Sequence, residues 1–366
     1  MTIKFVTLGP LVHSFCQISQ ICLCVIGLVF LLGQFAACAP SPPVEVEPAE
    51  GSLTIGYNSP ALDGAQIAIM DGLLDQAQEK GWQVITTNSN RDSQVQASQI
   101  AYMLDQGVRA VVVVPDDSHK ICESVAQARE AGVLFYTIDR APLDCEVNMA
   151  VLSDNRMAGR QAGEAMVELL TERYGRPQGV VLEIQGDLNQ NVALERGAGF
   201  HEIVDQYPDI QVISRPTQWQ ASEFARAVEE VLSVRPLLDG ICLHSDCVGV
   251  PAILPILDQM GCKVPRSQAG HIFITGVDGC AETLQAIRDG YVDQTSSQPF
   301  PDMGIIVDWI ALELEGKTIE PGLVMREGMS WSPASVEYSA TGWQLLLATM
   351  SVTADNVADT RLWGNR

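Results

Sequence analysis

The sequence predicts an α/β protein of two similar wound lobes with parallel sheets, on three observations. Past residue 52, short β-branched runs alternate with amphipathic stretches of helical period. Runs such as Val111-Val112-Val113-Val114 are apolar without alternation, as in parallel strands covered by helices on both faces. The whole alternation then starts again after residue 174, and two such sheets exceed what one core usually holds.

In order, strands are expected at 53–57, 83–87, 110–114, 133–138 and 149–152, separated by helices near 63–80, 93–106, 118–131 and 155–174. The second series has strands at 180–184, 211–214, 240–244, 272–276 and 292–296, with helices near 189–206, 221–233, 247–260 and 280–289. Strands alternating with helices imply right-handed crossovers and a parallel sheet in each lobe. Such sheets present polar loops at the carboxyl ends of their strands. Two of those edges facing each other make a cleft.

Composition narrows the function. Among 366 residues, 22 Lys and Arg stand against 45 Asp and Glu, a formal charge of −23. No basic cluster is visible, which argues against nucleic acid as a partner. After residue 40 no run of 18 residues escapes a charge, Pro or Gly, so several membrane spans are excluded.

The amino terminus reads as an export signal. Lys4 precedes an apolar stretch at 21–32 and then Phe35-Ala36-Ala37-Cys38. The segment 1–37 resembles a bacterial lipoprotein signal, which makes Cys38 the lipidated first residue. An uncleaved membrane anchor is the alternative. Residues 38–52 are rich in Pro and Glu and form an expected solvated tether. Six cysteines remain beyond it, an even number that permits disulfides outside the cytosol, with buried free thiols as the alternative. Cys122 and Cys145 follow adjacent strands of the first lobe, and Cys247 and Cys280 adjacent strands of the second, which leaves Cys242 for Cys262.

The strand ends carry groups suited to hydroxyls. Asp139-Arg140 follows the strand at 133–138, Ser245-Asp246 follows 240–244, Asp278 follows 272–276, and Ser297-Gln298 follows 292–296. A sugar offers each hydroxyl as donor and acceptor, and charge-assisted bonds to it are worth about 1.5–3 kcal/mol net. Its C–H face packs on an aromatic ring, and Trp219 stands just after the strand at 211–214.

Thr137-Ile138-Asp139-Arg140, Ser153-Asp154-Asn155, Glu195-Arg196-Gly197-Ala198-Gly199-Phe200, Gly276-Val277-Asp278-Gly279 and Gln298 occur in one order. In that order the chain resembles the periplasmic sugar-binding receptors of the ribose-binding type over residues 53–331. The resemblance implies two Rossmann-like lobes, a hinge of three segments crossing near 153, 298 and 321, and a ligand cleft between the lobes. It gives 53–153 with 299–320 to the first lobe and 154–298 with 321–331 to the second. Residues 332–366 extend beyond it, with a helix expected over 343–350.

Carried over residue by residue, the resemblance implies that Asp139 and Arg140 grip adjacent hydroxyls from the first lobe. Arg196, Asp278 and Gln298 match partners from the second lobe, Trp219 an aromatic that closes over the ring, and Ser59 a small polar contact. Asp63 and Gln66 occupy the place where the family's first helix opens with Asn and aromatics, and Ser245 replaces an Asn. Asp63 is also expected as a helix cap, and Asp278 as a cap for the helix near Cys280. Asn189 lies at a polar helix start next to the ligand; the surrounding Asp187–Glu195 pattern lacks the glycine that a calcium loop needs. No metal or cofactor site is expected. His244-Ser245-Asp246-Cys247 contains the letters of a triad, but consecutive residues cannot converge as one.

The expected function is capture of a monosaccharide or related polyol by hinge closure, without catalysis, and delivery to the membrane permease of an ABC importer. The chain is expected to work as a monomer held by its lipid at the outer face of the cytoplasmic membrane or in the periplasm. A receptor that signals to a membrane sensor kinase is the alternative, and no residue separates the two.

Overall fold

The structure is a computed structural model that describes residues 53–235 and 237–366. The export signal, Cys38 and the tether lie outside the described residues. Among those described, no helix is long and apolar enough to cross a membrane.

The first series runs β1 (Thr54–Ser59), α1 (Gly64–Glu79), β2 (Gln83–Asn88), α2 (Ser93–Asp105), β3 (Ala110–Val113), α3 (Ile121–Glu130), β4 (Leu134–Ile138) and β5 (Val147–Ser153). The second runs α4 (Asn155–Tyr174), β6 (Gly179–Ile184), α5 (Asn191–Val204), β7 (Ile210–Arg215), α6 (Ala221–Val234), β8 (Gly240–Leu243), α7 (Asp246–Gln259), β9 (Phe273–Asp278), α8 (Ala281–Arg288) and β10 (Gln294–Ser297). In space the strands lie in the order β2-β1-β3-β4-β5 in one sheet and β7-β6-β8-β9-β10 in the other, all parallel. The two lobes are therefore one plan used twice. Central strands such as β3 are buried throughout, whereas edge strand β2, with Gln83, Thr86 and Thr87, is only half-buried. Asp63, Asp92 and Asp154 cap α1, α2 and α4 through their side chains, which fixes where three of the helices start.

Residues beyond 298 depart from expectation. A 3-10 turn (Phe300–Ile305) leads into α9 (Ile306–Leu314), and four strands follow: β11 (Gly322–Val324), β12 (Ala334–Ser339), β13 (Gly342–Leu347) and β14 (Met350–Val352). The helix expected over 343–350 is thus two strands. β13 lies parallel to β5, with Trp343 opposite Met149 and Leu347 opposite Ser153, and buries Leu345 and Leu347 in the first core. β14 lies antiparallel to β10 in the second sheet. An apolar run of this length fits helix or strand equally well; the open edges of β5 and β10 decide it, because each strand edge offers unpaired backbone groups. The third crossing consequently falls between β13 and β14, not near 321, and β11 pairs with β12 in the first sheet rather than joining the second lobe.

The cysteines correct the expectation of three bonds. Cys122 and Cys145 form a disulfide with sulfurs 2.14 Å apart. Cys242 and Cys262 do not pair. Cys242 projects into the cluster around Met166 and Phe200, while Cys262 packs against the cluster around Leu243 and Ile253 on the other face of the sheet. Cys247 and Cys280 also remain thiols, although the Cys280 amide donates to Cys247 Sγ at 3.2 Å.

Candidate functional site

Both lobes direct a buried aspartate into the cleft from the end of the same strand of the plan. In the first lobe β4 runs straight into Asp139, whose φ of 65° turns the carboxylate out of the sheet line. In the second lobe β9 ends at Asp278 with φ 122°. Both are sparsely populated conformations for a non-glycine residue, and such backbone persists only where its surroundings over-determine it.

Asp139 Oδ2 accepts from Gln66 Nε2 at 3.2 Å and lies 3.8 Å from Arg140 Nε. Arg140 itself anchors on the Pro115 carbonyl at 3.0 Å. Across the cleft, Arg196 on α5 donates from Nε to Asn155 Oδ1 at 2.8 Å, and from one terminal nitrogen to the His244 carbonyl and to Asp278 Oδ1 at 3.1 Å. Asp278 Oδ2 accepts from Ser245 Oγ at 2.5 Å. Trp219, with φ 58°, donates its indole N–H to Gln190 Oε1 at 2.7 Å. Its ring lies against Gly186, where a Cβ would come within 1.8 Å, so only glycine admits the indole there.

These groups enclose a cavity of about 110 Å³. Asp63, Gln66, Asp139, Arg140, Arg196, Trp219, Ser245 and Asp278 all line it, as expected from the sequence. Three other expected residues do not. Ser59 is buried and donates to the Ala61 carbonyl at 2.6 Å, shaping the turn that leads to Asp63. Asn189 stands outside the cavity, where its carbonyl accepts from the Ser118 amide at 3.4 Å. Gln298 is buried behind the cavity, with neither amide atom hydrogen-bonded in the protein. Asp278 does not cap α8; Cys280 holds that place. Arg91, Val192, Cys247, Val248 and Phe300 are lining residues that the sequence reading missed. Arg91 and Phe300 come from a loop and a turn with no periodic signal.

Burial dominates the electrostatics. It pushes the Asp139 carboxyl up, partly offset by Arg140 and Arg196, and pushes Asp278 up against the pull of Arg196. Burial also lowers the Arg140 guanidinium, which Asp139 offsets. Arg140 Nε and Gln66 Oε1 are buried without a hydrogen-bond partner. Unpaired buried polar atoms cost about 1–3 kcal/mol each, and both belong to side chains that line the cavity.

A second polar network lies behind Arg196. Glu183, fully buried in β6, has His244 Nε2 at 2.9 Å from one oxygen and His201 Nε2 at 3.1 Å from the other. Burial pushes Glu183 up, but the two histidines outweigh it and hold the carboxyl low. Its hydrogen bond raises His201 to about 9, while burial keeps His244 below the usual histidine range. A Glu inside the apolar run of β6 was the one sign of this network in the sequence.

Hydrogen bonds close the cleft at its mouth. The Ala141 amide donates to Asn191 Oδ1 at 3.0 Å, and Gln190 Nε2 donates to the Asp116 carbonyl at 2.8 Å. With the Ser118–Asn189 bond, they join loops of the first sheet to the start of α5, away from the crossings between the lobes.

The family model of the periplasmic binding protein domain matches residues 55–318, more than half of the chain. The chain belongs to the periplasmic binding protein family. It is 28% identical over 280 residues to the ribose import binding protein of Bacillus subtilis (strain 168), covering 74% of this chain and 84% of that protein. It is 24% identical over 289 residues to the xylitol-binding protein of Mycolicibacterium smegmatis, covering 78% and 73% respectively. In fold it matches an ABC transporter solute binding protein of Mycobacterium smegmatis solved with bound glycerol, at a TM-score of 0.70 and 24% identity over 84% of this chain and 96% of that one. Two wound lobes around a cleft are thus the architecture of the family, and the strands beyond 318 lie past the matched region.

Proposed function

We propose that the chain is an extracytoplasmic solute-binding protein that closes on one monosaccharide or short polyol and delivers it to the permease of an ABC importer. The observation that carries this is the cavity itself. Two buried carboxylates and two buried guanidiniums, drawn from both lobes, surround a space of about 110 Å³. A space of this order suits a small molecule rather than an oligosaccharide or peptide. Mixed carboxylates and guanidiniums suit an uncharged ligand dense in hydroxyls. The relatives named for ribose and xylitol point to the same ligand class.

Closure is the mechanism. A ligand that touches Asp139 and Arg140 on one side and Arg196 and Asp278 on the other gains its full set of bonds only when the lobes meet, so it shifts the population to the closed form. The mouth bonds, each worth about 1 kcal/mol net, form in that same state. No step of this requires making or breaking a covalent bond, so the role is binding rather than catalysis. The Phe35-Ala36-Ala37-Cys38 motif supports anchoring by a lipid on Cys38, with the protein working as a monomer outside the cytoplasmic membrane.

A thermal-shift panel of pentoses, hexoses and polyols tests the reading. A ligand at about a hundredfold its Kd stabilises the fold by about 2.7 kcal/mol, a rise of a few degrees in Tm. A rise with one sugar and not with its epimers is the expected result. A flat response to the whole panel would contradict it.

A further inference from the structure

Residues 353–366 lie past the matched family region, yet they reach the wall of the cleft. Leu362 is buried in the core of the second lobe, while its neighbour Trp363 packs against the core of the first. The indole N–H of Trp363 donates to the main-chain carbonyl of Asp278 at 2.7 Å. That carbonyl also accepts from the main-chain N–H of Gln298 at 3.0 Å. The same indole meets Phe300 edge to face, with ring centroids 5.3 Å apart, and Phe300 lines the cavity. Gly364 lets the segment lie this close, because a Cβ there would come within 2.5 Å of the Gly279 carbonyl oxygen. Arg366 completes the seat with bonds of 3.1 and 3.3 Å to the two carboxylate oxygens of Asp302, and Arg288 holds Asn365 at 2.7 Å.

We propose that Trp363 is a positioning residue for the ligand site, holding Asp278 and Phe300 in place from behind the cavity. The inference rests on the cleft being the sugar site. Asp278 has a φ of 122°, a conformation that persists only where surrounding bonds enforce it. Its carbonyl is fixed by two donors, one from the second crossing and one from Trp363, so the indole sets the direction in which the carboxylate faces the cavity. Phe300 begins the turn after that crossing, so one side chain registers a wall group of the second lobe against one packed on the first. Affinity and selectivity thereby depend on a residue that touches no ligand.

The test compares Trp363→Phe, Trp363→Ala and Gly364→Ala with the wild-type full chain in two measurements. Hydrogen exchange without ligand needs no knowledge of the sugar. The expected result is exchange about fivefold faster for peptides spanning 276–282 and 298–303 in Trp363→Phe, the loss of one hydrogen bond. Trp363→Ala and Gly364→Ala should exceed that, with peptides spanning 110–138 unchanged. Calorimetric titration with D-ribose and with xylitol should show affinity lowered in the same order, Trp363→Phe recovering part of the loss in Trp363→Ala. Unchanged exchange at 276–282 and 298–303, or equal acceleration throughout the protein, overturns the proposal. If wild type binds neither compound, the sugar reading loses support while the exchange result still decides the role of Trp363.

Discussion

In the first lobe Cys122 is the second residue of the helix after the third strand, and Cys145 lies beyond the fourth strand; the two are bonded. In the second lobe Cys247 is again the second residue of the helix after the third strand, and Cys280 again follows the fourth, but both are thiols. The loops differ in what already holds them. Around Cys280, the Gly279 amide donates to Asp246 Oδ1 at 3.0 Å, Thr283 Oγ1 donates to the same oxygen at 2.8 Å, and Thr295 donates to the other. The residue in the place of Asp246 in the first lobe is Ile121, which makes no such side-chain bonds. What one lobe secures covalently, the other secures with buried hydrogen bonds. Equivalent placement in a repeated fold therefore fixes where a group stands, and local polar partners fix what it does.

The largest effect should come from Arg196→Ala. Removing one partner of a buried, hydrogen-bonded pair costs about 3–5 kcal/mol, because Asp278, Asn155 and the His244 carbonyl all lose their donor in a buried site. Sugar affinity by calorimetry should fall more than about 100-fold, and the melting point should fall with it. A variant that binds as tightly as wild type would remove the second lobe from the site.

The cysteine comparison is sharpened by paired substitutions. Cys122→Ser with Cys145→Ser should lower the stability of the first lobe by about 3 kcal/mol, since the bond closes a loop of sequence separation 23. Cys247→Ser with Cys280→Ser should cost less than about 1 kcal/mol. Denaturant midpoints measure both, and equal losses would show that the second pair is bonded in solution.

Asn191→Ala removes the acceptor for the Ala141 amide at the cleft mouth. One such bond is worth about 1 kcal/mol, so affinity should drop about fivefold by calorimetry, with no change in the melting point of the ligand-free open form. An unchanged affinity would show that the mouth bonds do not contribute to closure.

The smallest effect is a pH dependence confined to the second lobe. Glu183 raises His201 in the folded state to about 9, above the ordinary value of 6.5. Stability from this pair is therefore fully present below about pH 6.5 and lost as pH rises through about 9. His201 is one-third exposed, so screening keeps the effect modest. Melting points from pH 6 to pH 10 should decline in wild type and flatten in His201→Gln; parallel curves would assign the slope to another group.

Much of this architecture was legible in residue order. Strands β1 to β10 and helices α1 to α8 start and end close to their expected positions, because their apolar runs are short, β-branched and bounded by caps or glycines. Strands β11 to β14 were not legible. β13 depends on pairing with β5 and β14 on pairing with β10, far back in the chain, while β11 and β12 are added onto β13, and an apolar run such as Trp343–Leu347 carries no local mark of its distant partner. The same distinction divides the site. Asp139, Arg140 and Ser245 follow strands and Asp278 ends one, where topology alone delivers a residue to the cleft. Phe300 and Arg91 arrive by packing, and Ser59 and Gln298 sit beside the cavity without lining it. Glu183 shows the reverse case, a charge whose position in a buried strand announces partners without naming them.

The central claim is that two matching aspartates, one from each lobe, close on the same ligand. Calorimetric titration of wild type, Asp139→Asn and Asp278→Asn with the sugar that most raises the melting point tests it directly. Each substitution should lower affinity by about 100-fold or more while the protein stays folded, since a charge-assisted acceptor becomes a neutral amide in a water-excluded site. Wild-type affinity in either variant would place the ligand against one lobe alone and contradict the account.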